Sequence, residues 1–280
     1  MRQRVVIVTD STASLPAQVV EELGIHVVPL QVRIGDTVDN ENRVDRADLL
    51  AALRNETPVG TAEPPSSAFF WDYQGAADAG AQAIVSIHIS SRLSGTCESA
   101  WAAGARSRVP VHVVDSLTSG MSLGFLVIAA AQAARSGAGA EEIVGIVTAR
   151  RRDQDQLIYV DTLEHLRRGG RIGAASAMLG TALSIKPLLA IAGGEIVPLA
   201  KVRGTERALI RLVDIGGERV AGRTVDAAIE HVDAPDRADE LVRLLRGRLP
   251  MMRETIVTCA SAVLAAHLGP GTVGIALAPC

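Results

Sequence analysis

The residues best suited to chemistry lie in Ser90-Ser91-Arg92-Leu93-Ser94-Gly95-Thr96. This stretch follows an apolar strand signal and opens a helix. The first N–H groups of a helix have no intrahelical acceptor and carry the positive end of its dipole. Free N–H groups near Gly95 and Thr96, with the Ser94 hydroxyl beside them, suit a small anion such as a phosphate or a carboxylate. An N-cap uses one side-chain oxygen, yet four of these seven residues carry a hydroxyl. The surplus favours binding over capping alone. Thr61, in the Pro- and Ser-rich stretch from Thr57 to Ser67, offers a further hydroxyl.

Other motifs carry less. Gly120-Met121-Ser122-Leu123-Gly124 fits the hydrolase pattern G-x-S-x-G, which needs its serine on a sharp turn directly between strand and helix. Residues Asp115 to Ser119 intervene here, so Ser122 falls inside a helix start and the glycines read as packing. A serine hydrolase built on Ser122, His267 and an intervening Asp stands as the enzymatic alternative. Gly269-Pro270-Gly271-Thr272-Val273-Gly274 fits G-x-G-x-x-G, but the few residues after it are strand-like and leave no room for the helix a dinucleotide site requires. His88 lies in an apolar strand and reads as a core histidine. His267, beside the Gly269-Pro270-Gly271 turn, is either a helix-end surface residue or a site residue. Arg150-Arg151-Arg152 reads as a solvated helix end. Arg167-Arg168-Gly169-Gly170-Arg171 joins charge to backbone freedom, which suits a loop meeting phosphate or a protein, or a helix end whose cations answer the dipole.

These residues need elements to hold them. Val5 to Val8 is a buried strand ending at Thr9-Asp10, and a helix follows with Pro16 in its first turn and Gly24 past its end. Ile25 to Ile34 is strand-like, Asp45 caps a helix through Arg54, and Thr57 to Ser67 reads as a loop. Strands at Ala83–Ser90 and Val111–Val114 are followed by helices from about Thr96 to Arg106 and Gly120 to Arg135. Continuous apolar strands alternating with helices predict a mostly parallel sheet covered on both faces. Beyond residue 160 the pattern changes. Asp161-Thr162-Leu163-Glu164 resembles a capping box. Ile185–Ile191 and Glu195–Val202 form a hairpin about Gly193-Gly194, and strands follow at Thr224–Val232, Glu254–Cys259 and Thr272–Leu277. The expectation is an α/β protein of two domains. Residues 1–160 form the parallel one, and residues 161–280 an α+β one with a largely antiparallel sheet whose last segments pack back on the first.

Composition narrows the class. The 280 residues are 48% hydrophobic and 2% aromatic, and 28 Lys and Arg against 31 Asp and Glu leave a net charge of -3. Such a chain has no broad field for nucleic acid or an anionic membrane and few base-stacking rings. Three separated cysteines without a C-x-x-C pair exclude a disulfide framework or zinc ribbon and fit a reducing compartment. No apolar run reaches the ~18 residues of a membrane span, and no metal or cofactor motif is present. The expected location is the cytoplasm, without stable membrane insertion.

In order along the chain, Thr9-Asp10-Ser11 with Leu15-Pro16, Thr61 before Pro64, Ser90 to Thr96, Asp115-Ser116, Leu163 to Ile172, Ile185-Lys186-Pro187, Lys201-Val202-Arg203-Gly204 and His267 with Gly269-Pro270-Gly271 resemble the DegV family. The resemblance covers nearly the whole chain. It implies two α/β domains that bury a long-chain fatty acid, with Thr61 and Ser94 holding its carboxylate and Gly95 and Thr96 supporting from the helix start. It implies a subunit without chemistry of its own, whose bound carboxylate is phosphorylated by a separate ATP-dependent fatty acid kinase for phospholipid synthesis. Arg171, Arg203 and His267 match family positions near the pocket mouth or kinase docking surface. The family usually has Ser after the loop threonine, whereas this chain has Ala62, and Glu63 and Pro65 also depart from the common pattern. These differences keep open another anionic lipid or a small phosphorylated ligand. Chain length, unsaturation and oligomeric state are not encoded in any motif.

Overall fold

The computed structural model describes residues 4–180 and 184–280. The first part runs β1 (Val5–Asp10), α1 (Ala17–Leu23), β2 (His26–Val28), β3 (Gln31–Ile34), β4 (Thr37–Asn40), α2 (Arg46–Arg54), β5 (Val59–Ala62) and α3 (Ser66–Asp78). There follow β6 (Ala83–His88), α4 (Thr96–Gly104), β7 (Val111–Asp115), α5 (Gly120–Arg135), α6 (Ala140–Arg150), β8 (Asp155–Tyr159) and α7 (Glu164–Arg168). The rest is β9 (Ile185–Ala192), β10 (Glu195–Arg203), α8 (Thr205–Val220), β11 (Val225–His231), α9 (Pro235–Arg248), β12 (Met252–Cys259), α10 (Ala262–Leu268) and β13 (Val273–Pro279).

Three sheets result. The first is parallel, in the order β2-β1-β6-β7. Every residue of β6 is buried, as expected of a central strand covered on both sides. On one face Leu123, Leu126 and Val127 of α5 and Ile143 and Val147 of α6 pack on Ile7, Val85 and Ile87. On the other, Phe69 and Tyr73 of α3 and Ala100 of α4 pack on Val8 and Ile84. The second sheet has the order β10-β9-β8-β13-β11-β12 and is antiparallel except for the β11–β12 pair. Leu209, Leu212, Leu241 and Leu245 from α8 and α9 cover one side of it. Strand β8, just before the expected boundary at residue 160, pairs within this sheet. A small antiparallel sheet, β4-β3-β5, packs with α2 and α10.

Helix α5 explains its own composition. One side lies on the parallel sheet, and Met121 and Phe125 on another side meet Ala228, Ala276 and Ala278 of the second sheet. A helix buried between two sheets is apolar nearly all round. Gly124 allows the close approach: a Cβ there would lie 2.8 Å from the Ala13 carbonyl oxygen. No helix among the described residues is long and apolar enough to cross a membrane.

Three sequence expectations need correction. The stretch Ile25–Ile34 is two strands in different sheets, because Pro29 cannot donate to a ladder and separates them. The stretch Thr57–Ser67 contains strand β5, with Thr61 opposite Val32. Its prolines, Pro58, Pro64 and Pro65, lie outside the strand and remove no ladder bond. The capping box at Asp161 does not form: its carboxylate pairs with Lys186, Arg237 and the Tyr159 hydroxyl, each at 2.7 Å.

The C-terminal ends of β1 and β6 are joined by Asp10, which is wholly buried. Its Oδ2 accepts from His88 Nδ1 and Ile89 N–H, both at 3.0 Å. Its Oδ1 accepts from Thr12 N–H at 3.0 Å and from the Thr12 hydroxyl at 2.5 Å. Asp10→Ala leaves these donors buried without an acceptor and is expected to cost about 3 kcal/mol or more of stability. Urea unfolding of wild type and variant measures it; a loss under ~1 kcal/mol would contradict the structural role.

Candidate functional site

In the parallel sheet the chain departs from β1 to one side and later elements fill the other, so β1 and β6 flank the point where strand order reverses. Ligand crevices of open α/β sheets lie at the carboxyl ends of such strands. The segment leaving β6 there is Ile89 to Thr96. Ser90 O accepts from Leu93 N–H at 2.9 Å and Ser94 N–H at 3.1 Å, which tightens the turn before Gly95, the N-cap of α4. The four hydroxyls divide their work. Ser90 Oγ donates to Gly194 O of the β9–β10 hairpin at 2.8 Å, and Ser91 Oγ to Asp115 Oδ2 at 2.6 Å. Ser94 Oγ and Thr96 Oγ1 share a bond of 2.8 Å. Two hydroxyls therefore brace the loop, and Ser94 faces a cavity.

That cavity has a volume of about 570 Å³ between the layers. It is an apolar slit with a polar cluster in its lining. Leu30, Ile89, Leu93, Ile158, Leu166, Ile191, Ile196, Val263, Leu264 and Leu268 supply apolar walls. Thr61, Ala62, Glu63, Ser94, Ser119, Arg171 and His267 complete the lining.

Most of the polar lining is linked. Thr61 Oγ1 and His267 Nε2 share a hydrogen bond of 2.8 Å. Arg171 donates from Nε to Leu93 O and from Nη1 to Gly169 O, each at 3.0 Å. No carboxylate pairs with Arg171 among the described residues, so its charge stays available at the slit. Glu63 lies against the helix start, where a Cβ on Gly95 would stand 3.3 Å from its carboxylate. His267 is half-buried rather than a surface residue, and its Nδ1 is enclosed with no partner among the described residues. Two glycines make room for the rings between α7 and α10. A Cβ on Gly169 would overlap His267 Nδ1, and a Cβ on Gly269, at φ +80°, would overlap the His165 ring.

Thr61, Ser94, Arg171 and His267 thus meet at one cavity, with Gly95 and Thr96 next to it. Arg203 does not line it: it is exposed at the end of β10, opposite Ile185. Ser122 is buried in the first turn of α5, and its hydroxyl donates to Gln154 Oε1 at 3.3 Å and Asp155 O at 3.5 Å. His267 is bonded to Thr61 instead, so the serine–histidine pair of the hydrolase alternative is not assembled. His88 is a core residue, bonded to Asp10 and to Ser86 at 2.7 Å. Sequence reasoning did not single out the apolar walls on β8, β9, β10 and α10, whose side chains are of the same types as core residues.

The described residues define a layered α/β protein with an apolar slit between its sheets and a hydroxyl, imidazole and guanidinium cluster in the slit's lining. The chain belongs to the DegV family, whose model matches residues 4–279. It is 44% identical over 276 residues to a DegV domain-containing protein of Streptomyces coelicolor, covering 98% of each chain. It is 32% identical over 277 residues to protein DegV of Bacillus subtilis, covering 97% of this chain and 98% of that one. Among solved structures it resembles a fatty-acid-binding DegV family protein of Thermus thermophilus, with TM-score 0.93, 31% identity and coverage of 99% and 100%. It also resembles DegV of Bacillus subtilis, described as a fatty acid binding protein, with TM-score 0.90, 30% identity and the same coverage.

Burial first, and the Arg171 charge second, push the His267 pKa down to about 4. An unfolded histidine titrates near 6.5, so the unfolded chain binds the proton that the folded one refuses. The stability this confers is complete above about pH 6.5 and is lost as pH falls toward 4, a difference of roughly 3 kcal/mol. In urea titrations the stability advantage of wild type over His267→Asn is expected to shrink by up to that amount between pH 7 and pH 4. A constant advantage would contradict the buried neutral ring.

Proposed function

We propose that this chain is a fatty-acid-binding protein that buries an acyl chain in the slit and presents its carboxylate to a separate ATP-dependent fatty acid kinase. The observation that carries the reading is the juxtaposition of an apolar slit with Thr61, Ser94, His267 and the unpaired Arg171. An amphipathic monoanion matches both parts. The binding subunit supplies no chemistry; the kinase makes the acyl phosphate. An ATP-dependent partner places the pair in the cytoplasm.

Magnitudes divide the roles. About 14 buried methylenes give roughly 11 kcal/mol at ~0.8 each, before the costs of association. A hydrogen bond adds a net ~0.5–1.5 kcal/mol, and a helix start ~0.3–2 kcal/mol toward an anion. Chain burial sets affinity, and the polar cluster orients the head. Glu63 lies against Gly95 and competes with an anion for the helix start, so the rival is a ligand whose head is not a simple carboxylate.

Native mass spectrometry of the purified protein, followed by extraction, tests the class of ligand. A stoichiometric fatty acid is expected. An empty chain that also refuses added fatty acids would overturn the reading, and another extracted anionic lipid would establish the rival. Ser94→Ala is expected to weaken retention up to about tenfold and to reduce acyl-phosphate formation. Arg203→Ala, outside the slit, is expected to reduce transfer by a partner kinase far more than retention. Equal loss of both would move Arg203 into the binding site.

A further inference from the structure

Glu230, on β11, is buried and takes no part in the head-group cluster. Its Oε2 accepts from Met121 N–H at 2.9 Å and from Gln156 Nε2 at 3.0 Å, which fixes it at the start of α5. Gly120, at φ +63°, exists for this contact, because a Cβ there would overlap the carboxylate. The second oxygen, Oε1, has no hydrogen-bond partner among the described residues. The Ser14 hydroxyl is near enough to lower the pKa but closes no bond on Oε1. Burial, the largest influence, nevertheless raises the pKa against the Met121, Ser14 and Gln156 contacts, which favours a neutral acid with an O–H to donate.

Glu230 lines a second space of about 300 Å³. Ser119, Ile158, Leu264 and Leu268 line both this space and the slit, so the two share a wall.

We propose that this space is a subsite for hydroxylated acyl chains, in which Glu230 hydrogen-bonds a hydroxyl carried on the chain. The inference rests on the fatty-acid-binding reading and names a substrate class for it. A plain methylene chain reaching this space leaves Oε1 buried and unpaired, whereas a hydroxyl satisfies it. Sites with a buried polar group discriminate against ligands that lack the complementary one.

The test uses the full chain stripped of lipid, offered equimolar hexadecanoic and 16-hydroxyhexadecanoic acids, and separately octadecanoic and 12-hydroxyoctadecanoic acids. Extraction and mass spectrometry read what is retained. At least one hydroxylated chain is expected to be favoured over its parent by on the order of tenfold. Glu230→Leu is expected to abolish the preference while still retaining the parent acids. Glu230→Gln, which can still accept from Met121 and donate to a hydroxyl, is expected to keep most of it and serves as the folded control. Equal retention by wild type, or a preference indifferent to Glu230→Leu, overturns the proposal and leaves Glu230 an anchor for α5 with at most a bound water. Should Glu230→Leu fail to fold, the wild-type ratio decides against the proposal if it is unity, and Ser119→Leu, which fills the shared wall, replaces it in removing the preference. Retention of no fatty acid at all sinks the carrier reading instead.

Discussion

The buried Asp10 carboxylate is the constraint from which the site follows. A carboxylate removed from water is tolerable only when its lone pairs are filled. Here His88, Ile89 N–H and Thr12 fill them. Because those donors come from two strands and from the segments leaving each, satisfying one charge fixes where both strands end. Ile89 is held at the top of β6, and the turn from Ser90 to Gly95 starts from a defined position. From that turn Ser90 reaches Gly194 of the second sheet, and Arg171 returns to Leu93 O. The two larger sheets are thus tied together at the slit by bonds that largely use backbone carbonyls.

Such ties matter because the slit is otherwise held by nondirectional packing. Leucine and isoleucine walls resist water but do not specify a spacing between layers. Spacing comes from groups that tolerate no change in position. Gly124 sets how near α5 comes to Ala13, and Glu230 sets where α5 begins. Gly169 and Gly269 let α7 and α10 exchange their histidine rings across a contact that no side chain could share. A space between layers survives because polar and glycine contacts around it prevent collapse.

Much of this was legible in the sequence for definite reasons. The parallel sheet showed in the unbroken apolar runs of β1 and β6, and the second sheet in Gly193-Gly194 joining two strand-like runs. The β6–α4 turn was visible because hydroxyls and glycine at a strand-to-helix junction have few purely local uses. Strand β5 was not visible: four residues between prolines are too short to show a period of two, and its pairing with β3 lies in tertiary structure. His267 read equally well as exposed or buried, since its burial depends on Gly169, about a hundred positions earlier. Glu230 read as part of a strand, because nothing local reports that Oε2 finds Met121 and Oε1 finds nothing. The glycines of the G-x-S-x-G pattern read as packing residues, and the partners that require them, Ala13 and Glu230, lie in distant elements.

The electrostatics of the slit follow from the same burial. An exposed histidine beside threonine would share its charge state with solvent. His267, enclosed and near Arg171, is held neutral, so it enters the cluster as a hydrogen-bonding ring and not as a second cation. One guanidinium is then the fixed positive charge bonded at this end, and it spends two of its donors on backbone carbonyls rather than on a carboxylate. Guanidinium keeps its charge under any biological condition and aligns donors in a plane. Glu63 supplies a carboxylate to the same lining, so the charge at this end is set by Arg171 and Glu63 together. With the ring neutral, this end of the slit sets one guanidinium, one carboxylate and the Thr61 and Ser94 hydroxyls beside apolar walls.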